Sequence, residues 1–365
     1  MRILFAMDQR ADRGSIHAIS NYVRAGAETG HDIALYGCPD PRFPTVHFSK
    51  DVGAFDYVVF LVESWRHWMS ALRMPRILTK VPRHRRAILD ADGMYNQLVS
   101  VEGYDRNYDC EQSRAQWLAH YEIVADKIFQ PTFAPRQPEV TRLLFYGYDP
   151  NACIPADAGP EKRFDVLYVG HNWWRWRQVS RELLPGIERV RAQLGEIGFI
   201  GSWWDTIPAG AAELGVESAF DIDAEWLRRL RVQVKPPVSY MDVIPVMSMG
   251  RLNIMTQRPL LRDLKILTSK FFEIFAADTT PLIMLDPDHA EMVYGPAGRE
   301  LALYDCVGEK LVDALNRVKK YRELVEEVRG HLVAHHSYRH RVEELVTALR
   351  AQPVCSPSAG SGCGA

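Results

Sequence analysis

Several features are scarce or missing in this sequence, and each absence removes a class of protein. Cysteine is sparse, six in 365 residues and none in a C-x-x-C pair, which argues against a zinc ribbon or a disulfide framework and fits a reducing cytoplasm. No apolar run approaches the ~20 residues that cross a bilayer. The N-terminal run over 1–7 is too short for a signal peptide, meets Asp8 at once and reads as a buried strand. Charge of one sign is also lacking: the net charge is -2, so no global field favours nucleic acid and any anion site must be local. Glycine-rich phosphate loops are missing too. The loop after the first strand is DQRADRGS and the one after Val169 is GHNWWRW, and neither supplies the glycines a dinucleotide pyrophosphate needs. There is no G-x-x-x-x-G-K-[ST], no H-E-x-x-H and no G-x-S-x-G, which leaves a P-loop, a zincin and a nucleophile elbow unsupported.

What remains is an ordinary globular composition, 47% hydrophobic and 25% charged, in a chain long enough for about two domains. The first half alternates strands (3–7, 32–36, 56–62, 127–130, 142–145) with helices (16–28, 111–124). The stretch DYVVFLV is apolar nearly throughout, as a parallel strand covered on both faces must be. Turn formers and charges replace apolar residues between 149 and 162, which marks a connection. A second alternation follows, with strands at 164–169, 197–200, 252–255 and 281–285 and helices at 176–193 and 269–276. Helical patterns at 309–318, 321–332 and 339–350 close the chain. This pattern predicts an α/β protein of two Rossmann-like, doubly wound domains facing each other. The division is 1–152, a linker at 153–163, a second domain at 164–335, a returning helix at 336–350 and a Ser/Gly/Pro/Cys tail at 351–365 that is expected to be disordered.

The candidate site lies in the second half. In LTSKFFEIFA a Ser269-Lys270 pair opens a helix and Glu273 sits one turn in. A helix N-terminus offers unpaired N–H groups and a positive dipole end for a diphosphate. Lys270 adds a full charge, and a carboxylate three residues on can accept both hydroxyls of a ribose. The competing reading is an i, i+3 surface pair. Gly170 and His171, at the end of a strand, face the same cleft by the rule that ligands bind outside the carboxyl ends of parallel strands; Gly14, Ser15 and His17 do so from the first domain. Three D-x-D triplets, at Asp90/Asp92, Asp221/Asp223 and Asp286/Asp288, read as turn and cap residues rather than metal ligands.

The segment NIMTQRP from Asn253, then SKFFEIFA, then PLIML, followed by His336-Ser-Tyr338-Arg-His-Arg341, resembles the C-terminal domain of GT-B glycosyltransferases, nearest the spore-coat maturation (CgeB-like) group. The resemblance covers about residues 164–350. It departs where Lys270 replaces an arginine, keeping charge but losing the planar fork, and where AADTT replaces a glycine turn. It implies a nucleotide-diphospho-sugar held by the second domain, with Glu273 on the ribose, Lys270 on the diphosphate and Ser269, Gly170, His171 and Asn253 around them. It also implies an acceptor (a glycan, a lipid-linked molecule or a small molecule) held by the first domain, no cofactor, no metal, and retention of configuration without a named catalytic residue.

Two further features carry expectations. Adjacent Trp173 and Trp174 cannot share one helix face, so at least one belongs to a core. From Trp65 to Arg86 basic residues interleave with tryptophans without any acid, a candidate contact for an anionic membrane beside the acceptor site of an otherwise cytoplasmic protein. The alternatives are a sugar-nucleotide epimerase or an inactive assembly protein on the same fold, and a metal-dependent GT-A transferase using one of the D-x-D triplets.

Overall fold

The computed structural model describes residues 1–7, 14–63, 75–93, 95, 121–156, 158–209, 211–212 and 217–351. Most of the helix expected over 111–124, residues 65–74 of the basic segment and the tail beyond 351 lie outside the described residues.

The first sheet has seven parallel strands: β1 (Arg2–Ala6), β2 (Asp32–Tyr36), β3 (Phe48–Ser49), β4 (Tyr57–Val62), β5 (Arg86–Asp90), β6 (Lys127–Gln130) and β7 (Val140–Arg142), in the order β3-β2-β1-β4-β5-β6-β7. Strand residues alternate between faces. Ile3 and Phe5 of β1, with Val59 and Leu61 of β4, enter one core, while Leu4, Ala6, Val58, Phe60 and Val62 enter another. Both faces are therefore covered, which is why these strands read as unbroken apolar runs. The second sheet is also parallel. Its strands are β8 (Phe164–Val169), β9 (Ile197–Ile200), β10 (Val232–Lys235), β11 (Gly250–Met255) and β12 (Thr280–Ile283), in the order β10-β9-β8-β11-β12. In each sheet the strand order reverses beside the first strand, and such a switch point opens a crevice for ligands.

Where the elements depart from the sequence pattern, the causes are local. β5 lies inside the basic segment, and Arg86 is buried at its start. The strand expected at 142–145 ends at Arg142, while Leu143, Leu144, Phe145 and Tyr146 run on as buried chain outside the sheet. The helix expected over 176–193 is broken into Trp176–Gln178, a π-turn at Val179–Leu183 and a helix at Leu184–Val190. Pro185 has no N–H to return to the preceding turn, so the helix widens before it.

Five helices position the site or join the domains. They are α1 (Gly14–Glu28) after β1, α2 (Leu184–Val190), α3 (Lys270–Ala276) before β12, and the closing pair α4 (Val318–His336) and α5 (Tyr338–Arg350). Ser337, in extended backbone, breaks α4 from α5, and its side chain accepts from the His340 N–H as an N-cap. α5 then packs on α1 of the first domain. Tyr338 meets Tyr22 edge-on at 5.8 Å, the fully buried Arg341 donates to the Tyr146 carbonyl at 3.0 Å, and Lys127 donates to the Leu349 carbonyl. One apolar core thus runs through both sheets. Among the described residues no helix is long and apolar enough to cross a membrane.

Candidate functional site

Both switch points face one cleft. On the second-domain side, β8 is followed by Gly170, whose φ of 156° lies in the region glycine favours, and β9 by Gly201 with the same φ. A Cβ on Gly201 would stand 2.0 Å from the Gly170 carbonyl oxygen, so these two strand ends approach closer than any side chain allows. Beneath them the buried Trp204 donates its indole N–H to that oxygen at 2.7 Å. His171 is exposed, its Nδ1 is 2.9 Å from the Arg175 guanidinium, and its ring lies 5.5 Å from that of Trp203. Trp173, Trp174, Trp203 and Phe220 form a small aromatic cluster in which Trp174 is buried. Trp174 and Trp203 both adopt left-handed backbone, φ 58° and 68°, a costly conformation for large side chains that their packing holds in place.

α3 lies across the cleft floor. Its opening differs from the expected array of free N–H groups: Phe271 and Phe272 donate to the Thr268 and Ser269 carbonyls at 3.1 and 3.0 Å within the first turn. Positive charge here therefore comes from side chains. Lys270 Nζ stands 3.5 Å from Glu273 Oε2, with about a quarter (26%) of the lysine side chain exposed. Burial lowers the Lys270 pKa, Glu273 raises it, and the Arg175 guanidinium lowers it again. Arg175 in turn is depressed by burial and by Arg258 and is raised by Tyr168 and Asp92. Arg258 reaches over the cleft to Asp92 of the first domain at 2.6 Å. Arg175 thus lies within electrostatic reach of both Lys270 and Arg258. The sequence reading named only Lys270; Arg175 and Arg258 stood inside the HNWWRW and TQRP strings without a spacing signal to mark them.

Glu273 is 9% exposed and meets both domains. Its Oε1 accepts from the Tyr240 hydroxyl at 2.6 Å. The Tyr240 ring stacks on His17 of α1, centroids 4.1 Å apart and planes 12° from parallel. Gly14, at the start of α1, is so close to Ser269 that a Cβ would lie 2.5 Å from its Oγ and 3.5 Å from Glu273 Oε1. The structure therefore brings Gly14, His17, Ser269, Lys270 and Glu273 together, with Tyr240 as the member that sequence pattern did not reveal. Ser15 sits beside them, its Oγ buried with no hydrogen-bond partner among the described residues.

Asn253 stands apart. Its amide donates to the Met247 carbonyl and to Thr279 Oγ1 at 3.1 Å, toward the amino edge of the sheet, so it ties β11 to its neighbours and does not reach Lys270 or Glu273. Five of the six D-x-D carboxylates have structural partners among the described residues. Asp223 and Asp286 cap helices, Asp288 pairs with Arg299, Asp90 accepts from Gln130 and the Tyr95 N–H, and Asp92 pairs with Arg258. In the described part of the basic segment Arg76, Lys80 and Arg83 are exposed, as expected, and the other two arginines are not free cations. Arg86 is buried, Arg85 is spent on the Phe55 and Asp56 carbonyls, and Arg83 pairs with Asp126 at 2.8 Å. A cavity of about 540 Å³ lined by Arg191, Glu196 and Arg228 lies at the opposite, amino edge of the second sheet.

Residues 177–347, somewhat under half of the chain, match the family described as glycosyl transferase-like. No curated protein matches. Among solved structures, the chain is similar to T4 phage beta-glucosyltransferase in complex with its UDP-glucose substrate (13% identity, TM-score 0.56, 96% of this chain and 100% of that one). It is also similar to an alpha-glucosyltransferase in complex with UDP and a 13-mer DNA (12%, 0.60, 96% and 100%). A third is the sucrose-phosphate synthase of Thermosynechococcus elongatus (13%, 0.57, 96% and 98%). At these identities the likeness concerns the fold, which is GT-B, and it removes the single-domain GT-A alternative. Two parallel sheets opposed across a cleft, with the glycosyl transferase-like match lying over the second, support a transferase enzyme.

Proposed function

We propose that the chain transfers a sugar from a nucleotide-diphospho-sugar to an acceptor held by the first domain. The observation that carries this reading is the Lys270–Glu273 pair at the carboxyl edge of the second sheet, facing the start of α1, with Arg175 within electrostatic reach of Lys270 and Arg258 within reach of Arg175. A buried carboxylate among cations suits a donor that is a diol at one point and a dianion at the next. Glu273 accepts the ribose hydroxyls. Lys270 and Arg175 hold the diphosphate, and Arg258 exchanges Asp92 for it. As the glycosidic bond breaks, negative charge grows on the diphosphate, and preorganised cations in a half-buried site stabilise that charge more than the ground state. Because side chains supply this charge, the reaction needs no metal.

Retention of configuration, and kinship with the spore-coat maturation group, rest on the resemblance of the Lys270–Glu273 helix and the His336–Arg341 motif. The acceptor class is open among glycans, lipid-linked molecules and small molecules, and the net charge of -2 gives no field toward nucleic acid.

Calorimetry against UDP, GDP, CDP and dTDP, alone and with EDTA, tests the donor site. Glu273→Gln is expected to weaken binding roughly 10- to 150-fold, since hydrogen bonds to a charged group are worth ~1.5–3 kcal/mol. Wild-type affinity in the folded variant, or loss of activity with EDTA, defeats the reading. The anomeric coupling of the product, read by NMR, tests retention.

A further inference from the structure

Tyr240 comes from the second domain but is held by both. It follows β10 on a strap whose Pro236-Pro237 pair fixes two φ angles and removes two N–H donors. The short turn Tyr240–Asp242 is closed by the Ser239 hydroxyl on Asp242 at 2.7 Å. The strap is therefore stiff, and it presents the tyrosine into the cleft. There the ring lies flat on His17 of α1 at 4.1 Å, and the hydroxyl donates to Glu273 Oε1 at 2.6 Å. Burial and the Glu273 carboxylate both raise the Tyr240 pKa well above its ordinary value, so the hydroxyl keeps its proton and remains a donor.

The carboxylate of Glu273 has about four acceptor positions. Tyr240 takes one on Oε1, and Lys270, 3.5 Å away, lies on Oε2. Among the described residues one position remains on each oxygen, the number a pair of neighbouring hydroxyls requires. A charge-assisted hydrogen bond of this kind fixes the rotamer of a carboxylate that would otherwise turn toward its cations. The stack on His17 holds only while the two domains are together, because the rings belong to opposite walls of the cleft.

We infer that Tyr240 is a positioning residue that orients Glu273 for the donor ribose and, through its stack on His17, makes that orientation depend on closure of the two domains. This rests on the donor reading of Glu273 above. Domain closure thereby tightens donor binding, and the acceptor-side wall acts on the donor site without touching the donor.

The test is calorimetry on the full chain with UDP, GDP, CDP and dTDP, following the tightest binder through a set of variants. Tyr240→Phe keeps the ring on His17 and removes only the hydroxyl; it is expected to weaken binding roughly 10-fold with an unchanged melting temperature. His17→Ala is expected to weaken binding in the same direction, and His17→Phe, which restores a stacked ring, to recover it. In a Glu273→Gln background the Tyr240→Phe loss should shrink to less than about 2-fold, because the hydroxyl acts through the carboxylate. Wild-type affinity in Tyr240→Phe, or an equal loss with and without Glu273, overturns this inference while leaving the donor site standing. Wild-type affinity in Glu273→Gln alone overturns the donor reading and this inference together.

Discussion

At Lys270 burial and charge pull in opposite directions. Desolvation lowers its pKa, the Glu273 carboxylate beside it raises it, and Arg175 opposes that again, leaving the amine below the usual lysine range. A lysine is charged below its pKa, so its hold on an anion weakens as pH rises, and here the weakening starts lower than for a free lysine. Affinity for the diphosphate is therefore expected to decline on the alkaline side. Lys270→Arg, which stays charged, should flatten that limb, as titration of affinity between pH 7 and 10 would show. An unchanged alkaline limb in Lys270→Arg would assign the effect to another group. Gly14 supports a steric prediction. With Ser269 Oγ 2.5 Å and Cβ 2.8 Å from where a Cβ would stand, Gly14→Ala wedges the cleft open and should lower turnover. Adding Ser269→Gly removes both opposing atoms and should restore it. A silent Gly14→Ala would mean that the two walls do not need to meet.

At the scale of elements, the α4–α5 junction turns a sequence motif into a brace. His336 ends α4 with its ring 5.7 Å from that of Phe272 in α3, and its Nδ1 takes a hydrogen bond from Arg341, which also holds the Tyr146 carbonyl at 3.0 Å. Removing the guanidinium strands a buried carbonyl and a buried imidazole, so Arg341→Met is expected to cost roughly 2–4 kcal/mol in chemical denaturation. Burial, then Arg341, His331 and His335, push the His336 pKa down to about 3. The unfolded chain, with an ordinary histidine near 6.5, then binds more protons than the folded one between those values. Stability contributed by neutral His336 is complete above pH about 6.5 and is lost progressively as pH falls toward 3. His336→Gln should flatten the pH dependence of the melting temperature across that window; an unaltered slope would count against a neutral, buried imidazole.

For the whole molecule, closure is held by contacts of very different kinds. Arg258 and Asp92, 12% and 22% exposed, pair across the cleft. Thr132 and Ile266 form a backbone bridge, and the Leu267 N–H donates to the Pro131 carbonyl at 2.7 Å. The backbone contacts are insensitive to salt, whereas the ion pair is partly screened. Asp92→Asn should therefore open the cleft slightly, seen as a larger radius of gyration in X-ray scattering, and added salt should do the same to the unmodified chain by screening the pair. A radius that responds to neither change would show that the tail helix and backbone bridges alone fix the domain arrangement.

The sequence by itself determined the two-sheet α/β architecture. Parallel strands buried on both faces must be nearly continuous in apolar residues, and β4, β8 and β9 announce themselves in that way. It also marked Lys270 and Glu273, because an i, i+3 pair on a helix is a local relation that chain geometry sets. β10 escaped notice because VQVK is a half-exposed edge strand with weak apolar content, and β5 escaped because its flanking arginines masked a short apolar stretch. Only the tertiary structure decided that Tyr240 joins Glu273, that Arg175 stands near Lys270, that His17 stacks on Tyr240 from the other domain, and that Asn253 lies apart. Those relations join residues up to 259 positions apart in chain number, as Gly14 and Glu273 are. No local periodicity records them, because they are set by how two separately wound sheets meet across a cleft.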